Sequence, residues 1–121
     1  MFEEWGPGQS QETLIGVYLN NELEVNSYDT LSIGTKSATL VDAPEIFGRA
    51  FVLRSKYLIL IHNHPSGKAI PSPADKEVIE ELRNKAEVME VSFLDFIIVG
   101  DRSYWSLFEE ESGGEYTLGK A

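Results

Sequence analysis

Hydrophobic and polar positions along the chain alternate between strand-like and helix-like spacing. Glu12 to Leu19 reads as a strand, with Leu14, Ile15, Val17, Tyr18 and Leu19 supplying apolar bulk. Asn20-Asn21 fits a hairpin turn, because Asn tolerates positive φ, and a second strand is expected from Leu23 to about Ile33. Asp42-Ala43-Pro44-Glu45 carries the marks of a helix start, with Asp as N-cap, Pro in the first turn and Glu three residues on. Ile46, Phe47, Ala50 and Phe51 then repeat at helical spacing. Tyr57-Leu58-Ile59-Leu60-Ile61 reads as a buried strand. The spacing predicts a second helix from Pro73 to about Glu87, with Val78, Ile79, Leu82 and Ala86 on its apolar face. Val91 to Val99 and Ser103 to Phe108 are expected as the last two strands, separated by a turn at Gly100-Asp101-Arg102. This order predicts one α/β domain over residues 12–108, a mixed sheet flanked by helices. The Gly- and Pro-containing residues 1–11 read as a flexible lead-in, and the acidic residues 109–121 as a loose tail.

The candidate chemistry is concentrated in one place. Both histidines of the chain, His62 and His64, follow the Tyr57–Ile61 run and are one residue apart. Residues two apart on a strand face the same side, so the expectation is a pair of parallel imidazoles at the strand's end. Asp75 follows a Pro- and Gly-punctuated loop at the start of the second helix. Two imidazoles and a carboxylate leave a fourth position open on a tetrahedral metal, the arrangement of a catalytic rather than a structural zinc. The string Ser72-Pro73-Ala74-Asp75 also fits a plain helix start, with Ser72 as N-cap and Asp75 at N3. The two readings are compatible, since the cap would hold the turn that aims Asp75 at the histidines.

Composition narrows the choices. The chain has no cysteine, which removes disulfides, thiolate catalysis and every cysteine-bearing zinc site. A metal must therefore be held by nitrogen and oxygen. The net charge of −10 disfavours direct binding to a phosphate backbone, which relies on Lys and Arg. The apolar runs are too short for a membrane span, and the acidic start Met1-Phe2-Glu3-Glu4 is unlike a basic signal peptide. A cytoplasmic location is expected.

Seven residues separate His64 from Ser72 and two separate Ser72 from Asp75, giving His-x-His-x7-Ser-x-x-Asp. This resembles the JAMM (JAB1/MPN/Mov34) metalloenzyme motif. The string His62-Asn63-His64-Pro65-Ser66-Gly67 with Pro71-Ser72-Pro73-Ala74-Asp75 looks most like the bacterial RadC branch. The resemblance implies a three-layer αβα arrangement related to the cytidine-deaminase-like fold. It also implies zinc held by His62, His64 and Asp75, and hydrolysis of an amide, peptide or isopeptide bond in a peptide or protein substrate. In the family a serine at the place of Ser72 bonds the developing oxyanion or the attacking water. An upstream glutamate near the start of a strand serves as general base, and Glu12 matches that place. Glu12 as an ordinary strand end and Ser72 as a simple cap remain the alternatives. A scaffold or DNA-repair-associated module with a structural or vestigial metal site is the second functional class. RadC-like proteins commonly carry a helical domain ahead of this one, so a stand-alone version or an excised domain is expected. The chain departs from RadC at Asp42-Ala43-Pro44-Glu45, Lys68, Ile79 and Asp95-Phe96, none of them a proposed ligand.

Overall fold

The computed structural model describes residues 12–33 and 41–113. Strands β1 (Thr13–Leu19) and β2 (Val25–Ile33) form a hairpin, and helix α1 (Ala43–Val52) leads into β3 (Tyr57–Asn63). Helix α2 (Pro73–Met89) leads into β4 (Ser92–Val99), and β5 (Tyr104–Ser106) runs directly into a short α3 (Leu107–Glu111). The sheet order is β2-β1-β3-β4-β5. β3 and β4 are parallel, while the other neighbours are antiparallel. A parallel pair requires a crossover, which α2 provides. α2 thus starts after the sheet end at which β3 finishes and carries the chain back to the end at which β4 begins.

Each helix begins where the sequence can satisfy its free amides. Asp42 Oδ1 accepts from the Glu45 N–H at 3.2 Å, and Pro44 occupies a first-turn position where a missing N–H costs nothing. Ser72 caps α2 and Pro73 opens it. α2 ends at Glu90, which takes a left-handed conformation with φ 58° and returns its N–H to the Ala86 carbonyl.

Strand alternation divides the apolar residues between the two faces of the sheet. Leu14, Tyr18, Leu58, Leu60, Phe96 and Ile98 pack against Ile46, Phe47 and Ala50 of α1 and Val78 and Leu82 of α2. His62 lies two residues beyond Leu60 and therefore shares this helix-covered face. Glu12, two residues before Leu14, falls on the same side. Ile15, Val17, Leu19 and Ile61 form a second cluster on the other face, and it contains no helical residue among those described. The mixed sheet with packed helices is the expected α/β architecture. No helix among the described residues is long and apolar enough to cross a membrane.

Three local expectations change. The hairpin turn uses positive φ at Leu23, not at an asparagine. Asn20 instead accepts from the Glu22 and Glu24 amides through Oδ1, at 2.8 and 3.0 Å, and so ties the loop with its side chain. The last strand stops at Ser106, three residues after its expected start at Ser103. Residues 109–111, expected to open a loose tail, belong to α3. The cause is the fully buried Asp95, whose Oδ2 accepts from Ser106 Oγ at 2.7 Å and whose Oδ1 accepts from the Phe108 N–H at 3.0 Å. Ser106 Oγ in turn accepts from the Glu109 N–H at 3.2 Å, which caps the helix. The expected lead-in and residues 114–121 lie outside the described residues.

Leu82 has no exposed surface and packs into the helix-facing core. Leu82→Ala should lower unfolding free energy by about 2–5 kcal/mol, from lost apolar burial plus the cavity left behind. Urea denaturation of the two proteins measures this.

Candidate metal centre

β3 delivers His62 at its end, buried beside Phe96, and the chain turns immediately after Asn63 to place His64. Because His64 has left the strand, the two rings stand at 90° with centroids 4.9 Å apart, not parallel as regular alternation predicts. The turn is fixed by backbone bonds. His64 N–H donates to the Val99 carbonyl at 3.0 Å, Gly67 N–H to the His64 carbonyl at 2.9 Å, and Asp101 N–H to the Gly67 carbonyl at 2.7 Å. Gly67 takes φ +88°, which favours glycine. Gly100 lies so close to this loop that a Cβ there would sit 2.5 Å from the Gly67 carbonyl oxygen and 2.8 Å from the Ala69 nitrogen.

α2 presents Asp75 from the other side. Ser72 Oγ accepts from the Asp75 N–H at 3.1 Å, and Asp75 Oδ2 accepts from the Ser72 N–H at 2.9 Å, a reciprocal capping box. The Asp75 side chain is fully buried. Its Oδ1 lies 2.9 Å from His62 Nδ1 and its Oδ2 lies 3.1 Å from His64 Nε2. Glu12 Oε1 approaches the other nitrogen of His62, Nε2, at 3.0 Å, and the Glu12 side chain is 21% exposed. His64 Nδ1 faces the Lys68 carbonyl at 2.9 Å.

All four ring nitrogens of the two histidines therefore face oxygen. A neutral imidazole carries one N–H and one lone pair. The Lys68 carbonyl can only accept, so His64 carries its proton on Nδ1 and turns the Nε2 lone pair toward Asp75. On His62, one of the two nitrogens must likewise turn a lone pair toward a carboxylate. At each ring a lone pair would then meet a carboxylate oxygen, a repulsion that an added proton or a metal cation relieves. The donors are imidazole nitrogen and carboxylate oxygen, a set suited to zinc and other first-row divalent ions. Donor atoms of Glu12, His62 and His64 all lie within 4.8 Å of one another, so together they could hold a metal ion; this group has Glu12 where the resemblance implied Asp75, which instead contacts both histidines. The residues present fit such an ion.

The same contacts set the titration behaviour. The hydrogen bond to Asp75 raises the His64 pKa above 6.5 despite partial burial, with the Lys68 carbonyl adding to the rise. Burial pushes the Asp75 carboxyl up, but its hydrogen bonds from the two histidines and the Ser72 N–H outweigh this and hold it well below the usual range.

The five residues singled out in the sequence, Glu12, His62, His64, Ser72 and Asp75, meet at this end of the sheet. The contacts of Ser72 described above are those of a helix cap; accepting the Asp75 N–H leaves its own O–H available to donate. Sequence pattern did not identify the Lys68 carbonyl or Gly100 as parts of the site, because backbone atoms leave no residue signature.

The sequence matches the RadC-like JAB domain family over residues 2–113. This chain belongs to the RadC-like JAB domain family. Among curated proteins it is 35% identical over 100 residues to a UPF0758 protein of Chlorobaculum parvum, covering 83% of this chain and 45% of that protein. It is 40% identical over 102 residues to a UPF0758 protein of Shouchella clausii, covering 84% and 44%. It is 38% identical over 103 residues to one of Enterococcus faecalis, covering 85% and 44%. The chain thus spans less than half the length of these relatives, whose names state no activity. JAB domains are related to metallohydrolases, and the Glu12, His62 and His64 donors of this RadC-like JAB domain could hold a metal ion.

Two outcomes follow from the geometry. Gly100→Ala should displace the His64 loop, lower stability by about 1–3 kcal/mol, and weaken zinc binding measured by competition with a chromogenic chelator. The second concerns pH. In chelated protein, the raised His64 pKa contributes stability that is complete below about 6.5 and fades as pH rises through the folded value. The depressed Asp75 pKa contributes above about 3.9 and is lost only in stronger acid. A metal cation held by His64 would have to displace its proton, so such binding would weaken on acidification from a pH above 6.5. The increment in melting temperature given by zinc should therefore grow between pH 6 and pH 8, as differential scanning calorimetry with and without zinc would record.

Proposed function

We propose that this domain is a zinc-dependent hydrolase that cleaves an amide, peptide or isopeptide bond in a peptide or protein substrate. The observation that carries this reading is the pair of imidazoles whose nitrogens all face oxygen acceptors, with carboxylates on both sides. Zinc is assigned to His62, His64 and Asp75; when bound, it would supply Lewis acidity that brings a water's pKa to about 7.

The division of labour between the two carboxylates follows from their surroundings. Asp75 is fully buried and tied by the α2 cap, as suits a fixed ligand, whereas Glu12 reaches solvent, as a group that must meet water and substrate requires. Glu12 takes a proton from the attacking water as its oxygen bonds to the substrate carbonyl carbon. It then returns that proton to the amine nitrogen as the carbon–nitrogen bond breaks. The Ser72 hydroxyl donates to the oxygen on which negative charge gathers, a contact worth on the order of a hundredfold in rate. The acidic balance of the chain favours a polypeptide over a nucleic acid as the direct partner.

Asp75→Asn and Glu12→Gln separate these roles. Elemental mass spectrometry should find about one zinc per chain in the native protein and in Glu12→Gln, and little in Asp75→Asn. Cleavage of a fluorogenic peptide library should fall by about a hundredfold or more in Glu12→Gln. Folded native protein that takes up no zinc when it is supplied would contradict the reading.

A further inference from the structure

We infer that Asn63 is the positioning residue for Glu12: its carboxamide oxygen takes the backbone N–H of Thr13 and so holds the Glu12 carboxylate against His62. The backbone ladder between β1 and β3 runs from Leu19 opposite Tyr57 to Leu14 opposite His62. At the next position the Asn63 side chain takes over, with Oδ1 accepting from the Thr13 N–H. Strand alternation places Asn63 on the face opposite His62, so it holds β1 without occupying the space around the imidazoles. It is fully buried.

The consequence falls on Glu12 because the peptide unit is rigid. The Thr13 nitrogen and the Glu12 Cα share one plane, so fixing the Thr13 N–H fixes the Glu12 Cα and leaves only ψ and the side-chain torsions of Glu12 to place its carboxylate. Glu12 itself precedes the strand. The pinned amide next to it limits the range open to Oε1, which lies 3.0 Å from His62 Nε2. A general base must lie within hydrogen-bond reach of its proton, and a displacement of about 1 Å can cost on the order of a hundredfold in rate. The positional claim is independent of the activity, and its catalytic consequence rests on the hydrolase reading above.

The experiment uses zinc-loaded, nitrogen-15-labelled protein. Hydrogen exchange at the Thr13 amide should be slow in the native chain and at least about tenfold faster in Asn63→Ala. The His62 imidazole nitrogen signals in Asn63→Ala should move to the positions found in Glu12→Gln. In turnover, Asn63→Ala should retain zinc, lower kcat by on the order of a hundredfold with little change in KM, and add almost nothing in the Glu12→Gln background. Additive losses in the double variant, or unchanged His62 signals in Asn63→Ala, would overturn the positioning role. Free exchange of the native Thr13 amide would overturn it without any variant, and so still decides if Asn63→Ala does not fold. A zinc-loaded native protein that cleaves nothing would count against the hydrolase reading alone, while the amide and imidazole signals still decide the role of Asn63.

Discussion

Two neutral imidazoles cannot satisfy four oxygen acceptors. His62 and His64 offer two N–H groups between them, yet their nitrogens face Asp75 twice, Glu12 once and the Lys68 carbonyl once. Ionised groups placed out of water cost several kcal/mol each unless their charge is matched. Positive charge added to the site, as protons or as a divalent cation, therefore stabilises it. That dependence links the protonation of the histidines, the stability of the domain and its affinity for metal.

The fold is arranged to hold this polar cluster against an apolar core. β3 buries Leu58 and Leu60 under the helices and then, on the same face, exchanges an apolar side chain for His62. The α2 capping box serves the helix and the site at once, since Asp75 Oδ2 accepts from the Ser72 amide and also meets His64. Close packing between Gly67 and Gly100 lets the turn after β4 support the loop carrying His64, in space that a methyl group would fill. Site geometry and local stability consequently depend on the same few contacts.

Much of this was legible in the sequence because it rests on side-chain type and period. The apolar alternation of β1 and β3, the helical spacing of Val78, Ile79 and Leu82, and the caps at Asp42 and Ser72 each have a local cause that the chain displays directly. The spacing of His62, His64 and Asp75 displayed the donor set in the same way. What could not be read depended on partners distant in sequence. Leu107 and Phe108 suit a strand by composition, but Asp95, more than ten residues earlier, provides an acceptor that favours a helix start. The perpendicular imidazoles arise because the chain leaves β3 between them. The roles of the Lys68 carbonyl and Gly100 belong to backbone geometry, which residue identity does not encode.

The most direct test of the central claim is the number of protons released when zinc binds, obtained by titration calorimetry at pH 6 in buffers of different ionisation enthalpy. If a divalent cation replaces the proton that Asp75 favours on His64, binding should occur at about one zinc per chain and release protons at pH 6, with the number falling toward pH 8. Binding that releases no protons at pH 6, or no binding at either pH, would contradict the account.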